Sequence, residues 1–273
     1  MMSAATLGTP PPGVKRVSSR LARAASITAR VGLLLTVIGA LSLLLSGAGS
    51  RWDWWDFRTG FAIFRWTLYG GLGAVVVSLA GLVLALVGRA NNTALLSIGT
   101  LVLLAAIAVV PVSHLRNAGQ VLPIHDISTD LDDPPRFVAV LPRRQGAPNP
   151  AEHAGPALAT QQRAGYPDLG PVRFTAPPDR VLARAVDVAR GLGWEIVATA
   201  PAEGRLEATD RTRWFGFRDD VVVRVRPDGP GSRVDVRSVS RVGRSDLGTN
   251  ARRIRGFLET LRAAPPGDAL APR

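Results

Sequence analysis

Three long runs without a charged residue, 31–50, 66–88 and 90–113, constrain this chain more than any other feature. Each reaches the roughly 20 residues that an α-helix needs to cross about 30 Å of hydrocarbon. Because a backbone in lipid must satisfy its own hydrogen bonds, we predict three transmembrane helices over these runs. The alternatives are buried core helices of a soluble protein and, for the first run, a cleaved signal peptide.

The basic residues predict the orientation of these spans. The N-terminal tail, 1–30, carries five basic residues and no acidic residue, and such flanks stay in the cytoplasm. Three spans then place the rest of the chain on the opposite side. We expect a multi-pass protein of the bacterial inner membrane, with the bilayer as its first partner and a C-terminal domain in the periplasm.

The formal net charge of +12 invites a nucleic-acid partner, but its distribution argues against one. Residues 1–115 hold nine basic and two acidic side chains, which the topology explains. Residues 116–273 hold 24 basic and 19 acidic side chains and are predicted to face away from nucleic acid. The chain has no cysteine, which excludes disulfides and thiolate metal sites. We predict no cofactor.

Small and aromatic residues mark the membrane region. Gly70, Ala74 and Ser78 recur every fourth residue, so another helix can approach closely along this face. That helix is either another span of the same chain or a span of a second copy, which makes a homo-oligomer one alternative. The loop 51–65 is rich in Trp and Phe, and such rings are typical anchors at the membrane–water boundary.

Residues 114–171 are rich in Pro, Gly and Ala, and we expect either a flexible tether or an ordered strap over a domain. From 172 to 263 the pattern becomes regular, before a short tail at 264–273. Helical spacing of apolar residues predicts helices at 179–191 and 247–262. Their predicted buried stripes are Val181, Ala185, Val188 and Leu192 in the first helix, and Leu247, Ala251, Ile254, Leu258 and Leu261 in the second.

A strand is predicted at 172–177, and three or four more follow, within 194–200, 205–209, 220–226 and 233–239. Alternation is clearest in the last two strands, where valines alternate with charged residues. Such alternation is typical of an antiparallel sheet with one buried face and one wetter face. The predicted fold is therefore three membrane helices followed by an α+β two-layer domain, with two helices on one face of the sheet.

Several short polar segments of this region occur in a recognisable order. They are "ISTDLDDPPRF", "QQRAGYPDLGPV", "GWEIVA", "GRLEATDRTRWFGFRDDVVVRVR" and "SRVDVRSVSRVGRSDLGTNARRIRGFL". Together, over about 124–262, they resemble domain-of-unknown-function family 1499. The resemblance implies a domain that occurs alone or behind membrane segments, without an assigned activity. His153 departs from the family pattern, which has Tyr at that place.

Acidic residues supply weak candidates for a metal site and for catalysis. Asp126, Asp130 and Asp132 have the spacing of a calcium loop, but the required Gly and final Glu are missing. Local turn bonding is the alternative. Asp219 and Asp220 are adjacent carboxylates, which on a strand point to opposite faces and so make a poor catalytic dyad. Pairing of Asp219 with an Arg is the alternative.

The stretch "SRVGRSDLGTN", 240–250, precedes the last predicted helix. One interpretation is a strand-to-helix corner in which Asp246 caps the helix. The other is an anion site at the helix N-terminus, formed by Arg241, Arg244, Ser245, Asn250 and Arg253. Upstream, the rings of Trp214, Phe215 and Phe217 surround Gly216. They predict either a closed connection or the aromatic wall of a cleft.

These features favour a binding protein over an enzyme. The expected ligand or partner belongs to the cell envelope: a lipid, a glycan or a membrane protein, with an anionic ligand as one form. One alternative is a membrane-anchored hydrolase or transferase that uses Asp219 or Asp220 with Arg241 and Arg244. Another is a structural subunit of a membrane complex, for which the seam at Gly70, Ala74 and Ser78 is the key feature.

Overall fold

The computed structural model describes residues 12–118 and 121–263, so the predicted tail 264–273 lies outside the described residues. The chain divides into two compact units, 1–115 and 116–273. The first contains helices α1 (Pro12–Arg51) and α2 (Phe57–Val87) and most of α3 (Asn91–Ala118). Each helix contains a stretch long and apolar enough to cross a membrane: Ser19–Arg51, Phe57–Val87 and Asn91–Ser113.

The connection between the first two helices is shorter than the predicted loop 51–65. Helix α2 begins at Phe57 because the Asp56 carboxylate accepts the backbone N–H groups of Arg58 and Thr59. The rings of Phe57, Phe61 and Phe64 therefore lie on a helix rather than in the predicted loop. Helix α1 likewise extends back to Pro12, so much of the predicted tail 1–30 is helical.

Small residues bring α1 and α2 together, but along a different line from the one predicted. Ala74, Ser78, Gly81 and Ala85 are buried, whereas Gly70 is exposed. A Cβ added at Gly32 of α1 would lie 2.5 Å from the Ser78 Oγ, so the backbones approach closely there. The seam thus follows a spacing of four, three and four residues, which stays on one face of a 3.6-residue helix, and it excludes Gly70.

The C-terminal unit contains an antiparallel sheet with the strand order β1-β6-β5-β4-β3, and β2 also pairs with β6. The strands are β1 (Asp126–Ser128), β2 (Val172–Phe174), β3 (Glu195–Ala200), β4 (Arg205–Arg211), β5 (Arg218–Asp228) and β6 (Gly231–Ser240). The helices are α4 (Pro156–Gly165), α5 (Pro178–Gly191) and α6 (Thr249–Arg262). The prediction of three membrane-like helices followed by an α+β domain with an antiparallel sheet is confirmed.

Helices α5 and α6 cover one face of the sheet and form the main core with it. The predicted valines of β5 and β6 lie in this core, and Trp194 stacks on Phe257 at 5.1 Å between ring centroids. Two predicted core residues are excluded from it. Leu192 follows the end of α5 and is 42% exposed, and Leu247 precedes α6 with a φ of 54° and is 38% exposed.

Residues 121–171 are called the strap below. Their middle part lies on the opposite face of the sheet, whereas Ile124, Ile127 and Tyr166 join the main core. Phe137 and Val140 of the strap pack on Val222 and Val239 in a second, smaller core. The buried Gln162 side chain of α4 exchanges two hydrogen bonds with the backbone of Ser128, as a neighbouring strand would. The described part of this segment, 121–171, therefore packs on the sheet, and the face predicted to be wetter is partly covered.

Candidate functional site

The strap is held to the sheet by buried pairs of arginine and carboxylate. Arg237 of β6 is 2% exposed and donates to both carboxylate oxygens of Asp126, at 2.9 and 2.8 Å. It also donates to the backbone carbonyls of Pro135 and Ala151, and its guanidinium lies 5.3 Å from the Phe137 ring centroid. One side chain therefore fixes three separate points of the strap.

A second group of charges joins Asp130 of the strap to the sheet. Its carboxylate pairs with Arg224, Arg226 and Arg233, at 3.0, 3.3 and 2.7 Å. Burial acts to raise the pKa of Asp130, but the backbone N–H of Asp133 and the charge of Arg233 outweigh it, so the pKa lies below its usual value. Asp130 is therefore ionised at neutral pH and belongs to the packing of the strap.

These contacts engage the three carboxylates that were weak candidates for a metal site. The Asp126 oxygens accept from Arg237, the Asp130 oxygens accept from arginines, and Asp132 pairs with Arg163. Within 12–118 and 121–263 no cluster of three His, Cys, Asp or Glu residues could hold a metal ion. The three aspartates thus have separate sets of arginine partners, and each guanidinium takes an oxygen that a cation would need.

Asp219 and Asp220 point to opposite faces of β5 and are both buried. On the helix side, Arg253 donates to Asp219 at 2.7 Å, and burial raises the pKa of this carboxyl group. On the strap side, Asp220 accepts from Arg144, Arg241 and the Thr209 hydroxyl. Each carboxylate is part of a packed ion pair, and the structure does not bring them together.

The stretch before α6 is a capped corner. Asp246 accepts the backbone N–H groups of Gly248 and Asn250, which leaves a carboxylate where an anion would bind. Burial raises the pKa of Asp246. The side chain of Asn250 binds Ser238 and the His125 carbonyl inside the domain.

The remaining predicted anion ligands are dispersed. Arg241 binds Asp220, and Arg253 binds Asp210 and Asp219. The Ser245 hydroxyl accepts the N–H of Leu247, and Arg244 is exposed. In the described structure these side chains stabilise the corner and do not converge on one point, as the first of the two interpretations expects.

The three predicted aromatic residues lie in the connection between β4 and β5. Phe215 and Phe217 stack at 5.6 Å, and Trp214 lies 5.2 Å from Phe215. Gly216 between them has a φ of 68°, a conformation that favours glycine. The rings form a compact cluster and do not line the cavity described next.

A cavity of about 670 Å³ lies within the strap. Its apolar and small lining residues are Leu131, Pro134, Phe137, Leu141, Ala151, Gly155, Pro156 and Ala159. Its polar lining residues are Asp132, Asp133, Arg136, Glu152, His153, Arg163 and Arg237. Of the residues predicted for a site, the cavity contains Asp132 alone. The other lining residues were not predicted because they come from three separate segments that meet only in the folded domain, around the buried Arg237.

His153 lines this cavity as a neutral ring. Its Nδ1 accepts the backbone N–H of Gly155 at 3.1 Å, which places the proton of the neutral ring on Nε2. Burial lowers the pKa of His153, and this effect outweighs the nearby charge of Asp126. The ring therefore adds a hydrogen-bonding group and no charge at neutral pH.

Residues 126–261 match the model of a family described as protein of unknown function (DUF1499). The match spans about half of the chain, from β1 to the last turn of α6. A comparison with curated proteins found no match. The resemblance seen in the sequence over 124–262 is thereby confirmed.

Proposed function

The C-terminal domain of this chain belongs to the DUF1499 family, and we propose that the chain is a membrane-anchored binding protein whose domain holds a small ligand of the cell envelope. The observation that carries this proposal is the cavity in the strap. Small-molecule sites are concave, occupy about 300–1,000 Å³, and combine apolar walls with a few polar groups. The cavity has a suitable volume, about 670 Å³, is partly open to solvent, and combines eight apolar or small lining residues with seven polar ones.

Binding without catalysis is supported by the state of the acidic residues. Asp219 is buried in an ion pair with Arg253. Asp220 is buried in ion pairs with Arg144 and Arg241. A general acid or base must reach the substrate, and neither carboxylate lines the cavity. The hydrolase or transferase alternative therefore lacks a placed catalytic group among the residues once proposed for it.

The proposed location is the bacterial inner membrane, with the domain in the periplasm. Its support is the basic N-terminal tail, followed by three stretches long and apolar enough to span a bilayer. Alkaline phosphatase fused after Arg273 is expected to be active, and a fluorescent protein that fails to mature after export is expected to be dark. The reverse pattern would contradict the periplasmic placement and leave the cavity as a site for cytoplasmic metabolites.

The binding function is tested by filling the cavity. Leu141 lines it, whereas Leu192 lies at the end of α5 outside it, and both side chains are 42% exposed. The full-length protein, purified in mild detergent from bacterial membranes, is examined by native mass spectrometry. Wild type and Leu192→Trp are expected to retain a bound small molecule that Leu141→Trp loses. Equal retention by all three proteins, or no retained molecule in any, would overturn the proposal.

A further inference from the structure

The charges around the cavity decide which ligand it suits, and most of them are already neutralised by partners. Arg237 pairs with Asp126, and Arg163 pairs with Asp132. Asp133 pairs with Arg224 and Arg226. These two arginines and Arg233 also face Asp130 and Asp235, so three guanidinium groups meet three carboxylates. None of these groups needs a ligand to balance its charge.

Two charged residues of the lining are different. Arg136 and Glu152 are both exposed and line the cavity, and neither forms an ion pair with any residue in the described part of the chain. His153 beside Glu152 is neutral, as shown above. The cavity therefore offers one unpaired cation and one unpaired anion, with no net charge among its lining groups.

Apolar groups complete the lining. Leu131, Pro134, Phe137 and Leu141 contribute carbon surface beside the two unpaired charges. A ligand that matches this surface has a positive group, a negative group and an apolar part. A purely anionic ligand matches less well, because it would bind Arg136 and leave Glu152 as a like charge in the same cavity.

We propose that the cavity binds a zwitterionic aminophospholipid, with its phosphate at Arg136, its primary ammonium at Glu152 and its glycerol and proximal acyl carbons against the apolar wall. This proposal rests on the binding function proposed above and specifies its ligand. A lipid is favoured over a soluble zwitterion because the cavity has an apolar wall and the same chain carries three stretches fit to span a bilayer. The guanidinium–phosphate and carboxylate–ammonium contacts are both charge-assisted hydrogen bonds.

The test measures lipid affinity of the full chain in detergent micelles by native mass spectrometry. The probes are phosphatidylethanolamine and phosphatidylglycerol with identical acyl chains, together with soluble phosphoethanolamine. Wild type is expected to bind phosphatidylethanolamine about tenfold more tightly than phosphatidylglycerol. It is also expected to bind soluble phosphoethanolamine more weakly than the intact lipid.

Two variants separate the roles of the unpaired charges. Arg136→Gln is expected to weaken binding of both lipids about fivefold, because both carry a phosphate. Glu152→Gln is expected to weaken phosphatidylethanolamine about fivefold but to strengthen phosphatidylglycerol, since it removes the repelling carboxylate. This opposite response distinguishes a ligand contact from a general loss of structure. Arg180→Gln and Glu259→Gln, at exposed positions on α5 and α6, are the matched controls and should behave as wild type.

Three results would overturn the proposal. They are equal or tighter binding of phosphatidylglycerol by wild type, the same affinities in the Gln variants and the controls, and affinity for soluble phosphoethanolamine equal to that for the lipid. Failure of the binding function itself would give a different result: Leu141→Trp would retain whatever molecule the wild type retains. If Leu141→Trp loses a ligand while phosphatidylethanolamine does not bind, the binding function stands and the lipid assignment falls.

Discussion

Arg237 of β6 and Asp126 of β1 form a buried two-point ion pair, with N–O distances of 2.9 and 2.8 Å, between residues 111 positions apart in the chain. Asp126 begins the first strand after the three long apolar helices, so the pair fixes where the strap enters the sheet. Because Arg237 also holds two carbonyls further along the strap, the same contact shapes the cavity.

Removing one partner of this pair should be costly. Arg237→Met leaves the Asp126 carboxylate buried and unpaired, and we expect a loss of about 3–5 kcal/mol in the free energy of unfolding. Limited proteolysis should then cut the strap within 131–163. Arg173→Met breaks the exposed pair with Asp228 and should cost at most about 1 kcal/mol. Chemical denaturation of both variants measures the difference, and equal costs would contradict a special role for Arg237.

Glu207 of β4 holds the strap by a second mechanism. Its buried carboxylate accepts the backbone N–H groups of Val138, Ala139 and Val140. Glu207→Gln replaces one acceptor oxygen with a donor, so at least one of these amides loses its partner, at a cost of about 1–3 kcal/mol. Hydrogen exchange at 138–140 should accelerate in this variant. The exposed Glu203→Gln should leave exchange unchanged, and similar protection in both variants would be a failure of the prediction.

The stability contributions of Asp130 and Asp246 should change in opposite directions as the pH rises. Backbone hydrogen bonds and arginine charges lower the pKa of Asp130 against the effect of burial, so its contribution is present above the usual pKa of 3.8 and is lost as the pH falls. Burial raises the pKa of Asp246, so its contribution is present below 3.8 and is lost as the pH rises through the raised value.

Unfolding of Asp130→Asn and Asp246→Asn from about pH 3 to about pH 7 checks this difference. The advantage of wild type over Asp130→Asn should grow as the pH rises from about 3. The advantage of wild type over Asp246→Asn should shrink once the pH exceeds about 4. If the difference in stability from wild type changed with pH in the same way for both variants, the opposite pKa shifts of Asp130 and Asp246 would be contradicted.

The contact between α1 and α2 has a direct steric test. A Cβ at Gly32 would meet the Ser78 Oγ, whereas a Cβ at Gly39 of the same helix, or at Gly70 of α2, has no atom within 4 Å. We expect Gly32→Leu to destabilise the helical unit by about 1–3 kcal/mol through overpacking. Gly39→Leu and Gly70→Leu should leave the thermal stability in detergent unchanged. A loss in Gly70→Leu with a change in complex size would instead favour the oligomer predicted from sequence.

The sequence by itself determined the elements whose cause is local. Three apolar runs predicted the three long helices, because length and hydrophobicity alone decide which segments suit a bilayer. The alternating valines of β5 and β6 predicted a buried sheet face, and the stripes of α5 and α6 predicted the helices that cover it. The misplaced residues, Leu192 and Leu247, lie at the ends of these elements, where backbone geometry rather than periodicity sets the side-chain direction.

Only the tertiary structure decided what covers the other face and where the cavity lies. In the sequence, the arginines of β5 and β6 predict a face of the sheet that is exposed to solvent. The acidic segment 126–133 has the pattern of an imperfect cation-binding loop. In the folded domain these arginines and these aspartates pair with one another. A charge pattern in the sequence does not specify which opposite charge each residue will meet. That choice depends on long-range packing, since a buried ion pair is stable only where the whole strap excludes water around it. The cavity is a product of that packing.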